Sequence, residues 1–446
     1  MFKITVPENS NPYEIIELAK VFLKPEDLQV EMGAEDIPWN SDKKEALKQK
    51  VFKELVAYTN FKPKWGILTG VRPVKLTGNL VRTIGIDHTR RKLIDFYYID
   101  KEKAELLLDI YKYQRMNLKD NDADAALYIG IPFCPTRCSY CSFTSNQGTE
   151  TEMKAYIDAL EHEIYSVGQL MEKGNKYAET LYIGGGTPTA LPLDQLERLM
   201  KAVDKTFSKE RLEEFTVEAG RPDTITTEKL DLLNHYGVGR ISINPQSMNE
   251  KTLERIGRSH SPEAVLKAFE LAKPFGFKIN SDVIAGLPGE NPEDFEKTLT
   301  TIINQDPDNI TVHTLAVKRA SALVAEDKDY HYGAKDVVET MLESGHKNLI
   351  LAGYYPYYLY RQKHMAGALE NIGYCKEGTM CKYNVRIMDE HQSVIALGAG
   401  GISKAYYPKE DRLERIPNVS NFKIYIERID EMVERKKNNL FMEEEL

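Results

Sequence analysis

The chain has 446 residues, 59 Lys and Arg against 68 Asp and Glu, and a formal net charge of −9 at pH 7. With 42% hydrophobic and 28% charged residues it has an ordinary globular balance, long enough for two or three domains and unlike a disordered or collagen-like chain. The acidic surplus argues against a nonspecific nucleic-acid binder, which neutralises phosphates with Lys and Arg.

No uncharged apolar run approaches the ~20 residues of a membrane helix. The N-terminus MFKITVPENSNPYEIIELAK lacks the apolar core of a signal peptide. The expectation is a cytoplasmic protein without a membrane span and without a nucleic-acid partner.

FKITVP reads as a strand, Pro12 to Phe22 as a helix, LQVEMG as a second strand and Lys43 to Asn60 as a charged helix. In WGILTGVRPVKL, Gly66, Gly70 and Pro73 mark a loop. Its Arg72 and Lys75 either bind an anion or belong to a turn followed by a solvated helix. A helical block from Arg91 to Gln114 ends in the polar NLKDNDADA, which places a boundary after residue 122 and makes 1–122 an α/β accessory domain.

From Ala125 the runs ALYIGI, TLYIGG, EFTVEA, GRISIN, KINSDVIAG and NITVHTL alternate with helical stretches, as in βα units around a parallel sheet. Helix starts are signalled by Thr226-Thr-Glu, Ser261-Pro-Glu and Asn291-Pro-Glu-Asp. Six units predict a partial (β/α)6 barrel over 123–323, with functional residues at the C-terminal ends of its strands. Beyond it, helical and Tyr-rich segments predict a smaller, mostly helical C-terminal domain, 324–446. The fold class is α/β.

Only five cysteines are present, too few for a disulfide framework, and three fall within eight residues: Cys134-Pro-Thr-Arg-Cys138-Ser-Tyr-Cys141. Three thiolates on one loop hold three irons of a cubane and leave the fourth iron open to a small molecule. A zinc site competes, but no fourth Cys or His lies within 15 residues of the array on either side. Gly184-Gly-Gly-Thr-Pro188 follows the second barrel strand, where successive glycines allow a backbone to approach a ligand closely. Glu218 and Asp282 are carboxylates at strand mouths. Gln246 offers both donor and acceptor, and Arg258 a fork for a carboxylate or a surface ion pair.

With Tyr140 before its last cysteine, the CxxxCxxC array resembles the signature of the radical S-adenosylmethionine (SAM) superfamily. Tyr128-Ile-Gly-Ile-Pro-Phe-Cys134, Tyr182 to Thr189, Gln246-Ser247 and Asp282 to Gly289 resemble the oxygen-independent coproporphyrinogen III oxidase group (HemN/HemW/HemZ), and WGILTGVRPVKL resembles the HemZ type. The resemblance implies a partial barrel and a [4Fe–4S] cluster on Cys134, Cys138 and Cys141. One electron then cleaves SAM to methionine and a 5′-deoxyadenosyl radical.

It further implies that Gly185, Gly186, Thr187 and Glu218 contact the methionyl end of SAM. Gln246, Arg258 and Asp282 would hold ribose or carboxylate groups, Ala316 would lie near adenine, and Tyr128 and Tyr140 would pack beside cluster and cofactor. The implied partners are a tetrapyrrole substrate and a one-electron donor such as flavodoxin or ferredoxin. The activity would be oxidative decarboxylation of coproporphyrinogen III propionates to vinyl groups; a haem-binding chaperone of the HemW type and a haem-modifying radical enzyme are the alternatives.

The chain departs from the group at Gly130, where His is frequent, and at Phe143, where the best-known oxidases carry a further Cys. The chaperone branch carries a His-Asn-x-x-Tyr-Trp motif; here Tyr383 stands in the His place, and both Trp residues, Trp39 and Trp65, are N-terminal. Cys375 and Cys381 read as ordinary buried thiols, a substrate-proximal pair or a regulatory disulfide. LAGYYPYYLYR, ending at Arg361, reads either as aromatic walls with a propionate partner or as a packing surface.

Overall fold

A computed structural model describes residues 1–7, 12–33, 41–141, 145–316, 334–362 and 365–441. At the N-terminus β1 (Phe2–Pro7) and β2 (Leu28–Gly33) pair in parallel, with α1 (Tyr13–Ala19) and α2 (Ser41–Thr59) packed on them. Ile4, Val6, Ile15, Ala19, Val51 and Leu55 form a small core of their own. The expected single helical block is interrupted. After α3 (Pro73–Ile84) and α4 (Ile86–Arg91) comes a π-type turn at Lys92–Phe96, then Tyr98 in the left-handed region, then α5 (Lys101–Asn117) capped by Asp100.

All six expected barrel strands form. They are β3 (Asp124–Ile131), β4 (Tyr177–Gly185), β5 (Glu214–Val217), β6 (Arg240–Ser242), β7 (Lys278–Ala285) and β8 (Asn309–Thr314), parallel and adjacent in that order. Between them run α6 (Glu150–Lys173), α7 (Leu193–Thr206), α8 (Thr227–His235), α9 (Glu250–Arg255), α10 (Pro262–Ala272) and α11 (Pro292–Ile303). Thr226, Ser261 and Asn291 each accept a backbone N–H at the starts of α8, α10 and α11, as their sequence signals imply.

Strand residues alternate between two cores. Leu127, Ile129, Leu181 and Ile183 face the helices, whereas Ala126, Tyr128 and Tyr182 face the lumen of the curved sheet.

Among its described residues the C-terminal region carries α12 (Lys335–Leu351), α13 (Lys382–Asp389), α14 (Phe422–Glu427) and α15 (Ile429–Lys436). It also supplies five strands that the sequence pattern did not reveal: β9 (Tyr355–Tyr360), β10 (Asn371–Cys375), β11 (Ser393–Leu397), β12 (Ile402–Tyr407) and β13 (Arg412–Pro417). They extend both edges of the barrel sheet into an order β13-β12-β11-β3-β4-β5-β6-β7-β8-β10-β9. The boundary expected at 323 lies outside the described residues, as do Trp39 and Phe143.

Candidate functional site

The loop after β3 carries the three clustered cysteines. Its base is closed by Cys134 N–H donating to Asn146 O (3.0 Å) and Asn146 N–H donating to Pro132 O (2.9 Å). Its far side docks on the C-terminal end of α9, where Ser139 N–H donates to Ile256 O (3.0 Å) and Thr136 Oγ1 to Gly257 O (3.1 Å). All three thiols are free of disulfides and partly exposed. Burial pushes the Cys134 thiol up and the nearby Cys141 and Cys138 add to the rise, against a lowering contact from Thr187 Oγ1 at 3.6 Å. Metal loading there must displace a proton.

Among the described residues, no three Cys, His, Asp or Glu side chains converge on a point suited to one metal ion. Three thiols on one loop suit three corners of a cubane cluster.

The glycine turn meets this loop from β4. Gly185 has φ +111°, a conformation that L side chains rarely adopt, and a Cβ on Gly186 would lie 2.5 Å from Phe133 O. The amides of the turn are committed within the protein: Gly186 N–H donates to Ile131 O and Thr187 N–H to Phe133 O, both at 2.7 Å, and Gly185 N–H to Glu218 Oε2 at 3.3 Å. The glycines therefore allow β4 to close against β3 and do not present free amides. What the turn can offer a ligand is its carbonyl oxygens, which suit an amine.

Glu218 extends β5 into the lumen mouth, accepting from Tyr182 OH at 2.6 Å. Burial, with the negative charge of Asp282, pushes its carboxyl up to about 7 against the lowering bonds from Tyr182 and Gly185. Tyr128, Tyr182 and Tyr383 stand nearly parallel, with ring centroids of Tyr182 and Tyr383 4.4 Å apart and interplanar angles near 20° throughout. Asp282 Oδ1 lies 3.6 Å from His313 Nε2, and Tyr360 OH lies 3.1 Å from His313 Nδ1.

Gln246 is buried with φ +65°. Its N–H donates to Asp282 O (3.0 Å), and its carbonyl accepts from Ile284 N–H (2.9 Å), tying the end of β6 to β7. Such a conformation in a non-glycine residue costs of order 1–3 kcal/mol and persists only where the surroundings impose it. Ala316, two residues past the end of β8, forms an isolated antiparallel bridge with Met365.

Arg258 points its fork mainly at the protein. Nη1 donates to Asn244 O (2.7 Å) and Gly220 O (3.3 Å), and Nη2 to Tyr140 OH (3.1 Å). Arg258 Nε, Asn244 Oδ1 and Ser139 Oγ are buried without hydrogen-bond partners among the described residues. Buried polar atoms are normally satisfied, so this group beside the cysteine loop has the character of a cradle for a polar ligand. His260, behind Arg258, is pushed down to about 4 by burial and by the charges of Arg258 and Arg221, and is neutral at pH 7.

The structure thus gathers Cys134, Cys138, Tyr140, Thr187, Arg258 and the glycine turn around one loop, with Glu218, Tyr128 and Asp282 in the adjoining lumen. Sequence reasoning missed Asn244, His313 and Arg221, whereas Tyr360 belongs to the Tyr-rich LAGYYPYYLYR segment it marked. His313 on β8, the neighbour of β7, shares the inward phase of Asp282, a period-2 signal readable once one inward residue is known.

Other expectations fail or resolve. Arg361 is not open to a propionate: it gives nitrogens to the carbonyls of Leu68 and Ala368 (2.5 and 2.6 Å), lies over the Trp65 ring, and burial lowers it to about 10. Arg72 and Lys75 do meet an anion, the chain's own Glu390, which Lys404 and Arg415 also approach. Cys375 and Cys381 are buried, separate free thiols, held to Tyr113 OH and to Glu214 respectively and pushed up by burial.

Comparison with known proteins agrees with this geometry. The pattern of the Radical SAM superfamily matches residues 128–302. The chain is 37% identical over 390 residues, 86% of its length and 78% of the relative's, to the oxygen-independent coproporphyrinogen-III oxidase-like protein HemZ of Bacillus subtilis (strain 168). It is 36% identical over 193 residues to the heme chaperone HemW of the same organism, covering 43% of this chain and 50% of that protein.

The solved structure of coproporphyrinogen III oxidase (HemN) from Escherichia coli, a radical SAM enzyme, shares the fold at a TM-score of 0.56 and 23% identity, over 72% of this chain and 73% of that one. Proteins of this superfamily bind a [4Fe–4S] cluster and SAM, and the three-thiol loop with its unsatisfied polar cradle fits both. On its sequence, its fold and its donor set, the chain belongs to the radical SAM superfamily, in the HemN/HemW-like group, as a protein of the HemZ type.

Proposed function

We propose that the chain is a radical SAM enzyme of tetrapyrrole metabolism that converts propionates of coproporphyrinogen III to vinyl groups, yielding protoporphyrinogen IX. The observation that carries this reading is the aromatic interior of the barrel near the cysteine loop, where Tyr128, Tyr182 and Tyr383 stack nearly parallel and Tyr358 and Tyr360 stack within the same cluster. Phenol faces of this kind suit a flat, π-rich ring. The extent of similarity to an oxidase-like relative, 86% of the chain, supports the same choice.

In this reading Cys134, Cys138 and Cys141 hold the cluster. Gly185, Gly186, Thr187 and Glu218 take the methionyl end of SAM, Gln246, Arg258 and Asp282 its polar groups, and Ala316 lies beside adenine, with Tyr128 and Tyr140 flanking. When bound, these groups supply one-electron chemistry that removes a hydrogen atom from the substrate. The chain's own part is to hold and shield. Glu218, near half-protonation at neutral pH, accepts a bond from an amine, and the tyrosine walls exclude water. The electron comes from an external donor of the flavodoxin or ferredoxin kind. Among the described residues no helix is long and apolar enough to cross a membrane.

The test is anaerobic reconstitution with iron and sulfide, then SAM, a reductant and coproporphyrinogen III, with products read by mass. Loss of CO2 from two propionates is expected. Cleavage of SAM without any change in coproporphyrinogen would overturn the substrate, and a modified haem would redirect it to a haem-altering enzyme.

A haem chaperone is the second reading, favoured by the 36% identity to HemW across 193 residues. It is weakened by Tyr383, a stacked, buried phenol in the position where that branch carries His. Stoichiometric haem binding without CO2 release would establish it.

A further inference from the structure

Three residues beside the cysteine loop have no part in the roles above: Arg221, Asp223 and Ser259. Arg221 stands just past β5, only 3% exposed. Its Nε and Nη2 fork onto the two carboxylate oxygens of Asp223, each at 3.1 Å, and Nη2 also donates to Ser259 Oγ at 2.5 Å. Ser259 Oγ in turn donates to Asp223 Oδ2 at 2.8 Å. This fixes the plane of the guanidinium so that Nη1 meets the loop, donating to Thr136 Oγ1 at 3.0 Å and to Cys138 Sγ at 3.9 Å. Arg258 also reaches Cys138, by charge and by a side-chain hydrogen bond, but its shorter bonds go to the carbonyls of Asn244 and Gly220 and to Tyr140 OH.

Bidentate Arg–carboxylate pairs are geometrically specific, and a buried one holds its free edge in a single direction. Hydrogen bonds to the ligating sulfurs and local net charge are among the terms that set the reduction potential of an iron–sulfur cluster. A donor at sulfur withdraws electron density and stabilises the reduced, more negative cluster over the oxidised one. A carboxylate that neutralises the donor limits the effect.

We propose that Arg221 is a positioning residue whose N–H···S bond to Cys138 raises the reduction potential of the bound cluster, while Asp223 restrains the rise and aims the bond. The inference rests on the reading of Cys138 as a cluster ligand. It predicts shifts of opposite sign for two residues that contact each other, which a purely architectural role does not.

The experiment is an EPR-monitored redox titration of the anaerobically reconstituted full chain, with dithionite and mediators and without SAM, alongside iron per chain. Arg221→Gln lowers the potential by about tenfold in the reduction equilibrium, about 59 mV for one electron. Asp223→Asn, which removes the charge but keeps an oxygen for Arg221 Nε and so the aim of Nη1, raises it, and Arg221→Lys, which keeps the charge but loses the fork, falls between Gln and the parent. Should Arg221→Gln fail to retain iron, the opposite signs of Arg221→Lys and Asp223→Asn decide the matter. Unchanged potentials at full iron content, or shifts of Arg221 and Asp223 variants in the same direction, overturn the proposal. A Cys138→Ala variant holding the full complement of iron overturns instead the ligand assignment beneath it.

Discussion

Glu218 is a site residue whose chemistry is altered by its surroundings. Its carboxyl is pushed up to about 7 from an ordinary 4.5, first by burial and then by Asp282, so the native state holds a proton that the unfolded chain has released. Its contribution to stability is fully present below pH 4.5 and is lost as pH rises through about 7. The shift corresponds to about 3 kcal/mol if solvent does not reach the group; Glu218 keeps intermediate exposure, so about 2 kcal/mol is the expected size.

Urea unfolding of the cluster-free protein should show the parent losing that stability relative to Glu218→Gln between pH 5 and about 7.5. A constant difference across this window would remove the proposed protonation. Glu218 and Asp282 were legible as carboxylates at strand mouths. The fate of Arg361 was not, because the carbonyls of Leu68 and Ala368 that take its nitrogens come from distant or irregular segments with no pattern to read.

At the scale of elements, the junction of β3 and β4 decides the site. The sequence marks a glycine turn there but not what the glycines do. Gly186 makes room for the backbone of Phe133, so the turn serves strand closure first and the ligand second. Gly186→Ala should cost about 3 kcal/mol, the upper part of the overpacking range, since the obstructing atom is a backbone oxygen and not a flexible side chain. Denaturation midpoints and iron retained on reconstitution should fall together. A variant as stable as the parent would mean that the two strand ends can part freely.

The helix α13 illustrates the converse. In sequence its tyrosine stands only as a departure from the chaperone motif, yet the carboxylate of Glu214 receives the amides of Lys382 and Tyr383 (both 3.0 Å) and seats Tyr383 in the lumen. Glu214 belongs to β5, far away in the chain, so local periodicity has no access to the contact.

Across the whole molecule, the C-terminal region is locked to the barrel by a buried polar knot. Lys436 at the end of α15 meets Glu163 of α6 at 2.7 Å with both side chains fully buried, and Glu163 also receives Tyr425 OH (2.6 Å) and Gly398 N–H (2.7 Å). Removing one partner strands a charge, so Lys436→Met should destabilise by about 4 kcal/mol in urea unfolding, and adding Glu163→Gln should restore part of it. A loss below about 1 kcal/mol would show that the pair is solvated in solution. On the opposite side Trp65 Nε1 donates to the buried Glu370 at 2.8 Å, tying the N-terminal loop to the C-terminal strands.

By itself the sequence determined the six βα units, the cysteine loop, the superfamily and the carboxylates at strand mouths, because hydrophobic period, capping residues and short-range spacing are local properties. Only the tertiary structure decided that five C-terminal strands extend the barrel sheet, that three tyrosines from β3, β4 and α13 stack in one lumen, and that Arg221 aims at a thiol. Those depend on which distant segments meet, and that is governed by the complementarity of surfaces formed only when the sheet has closed.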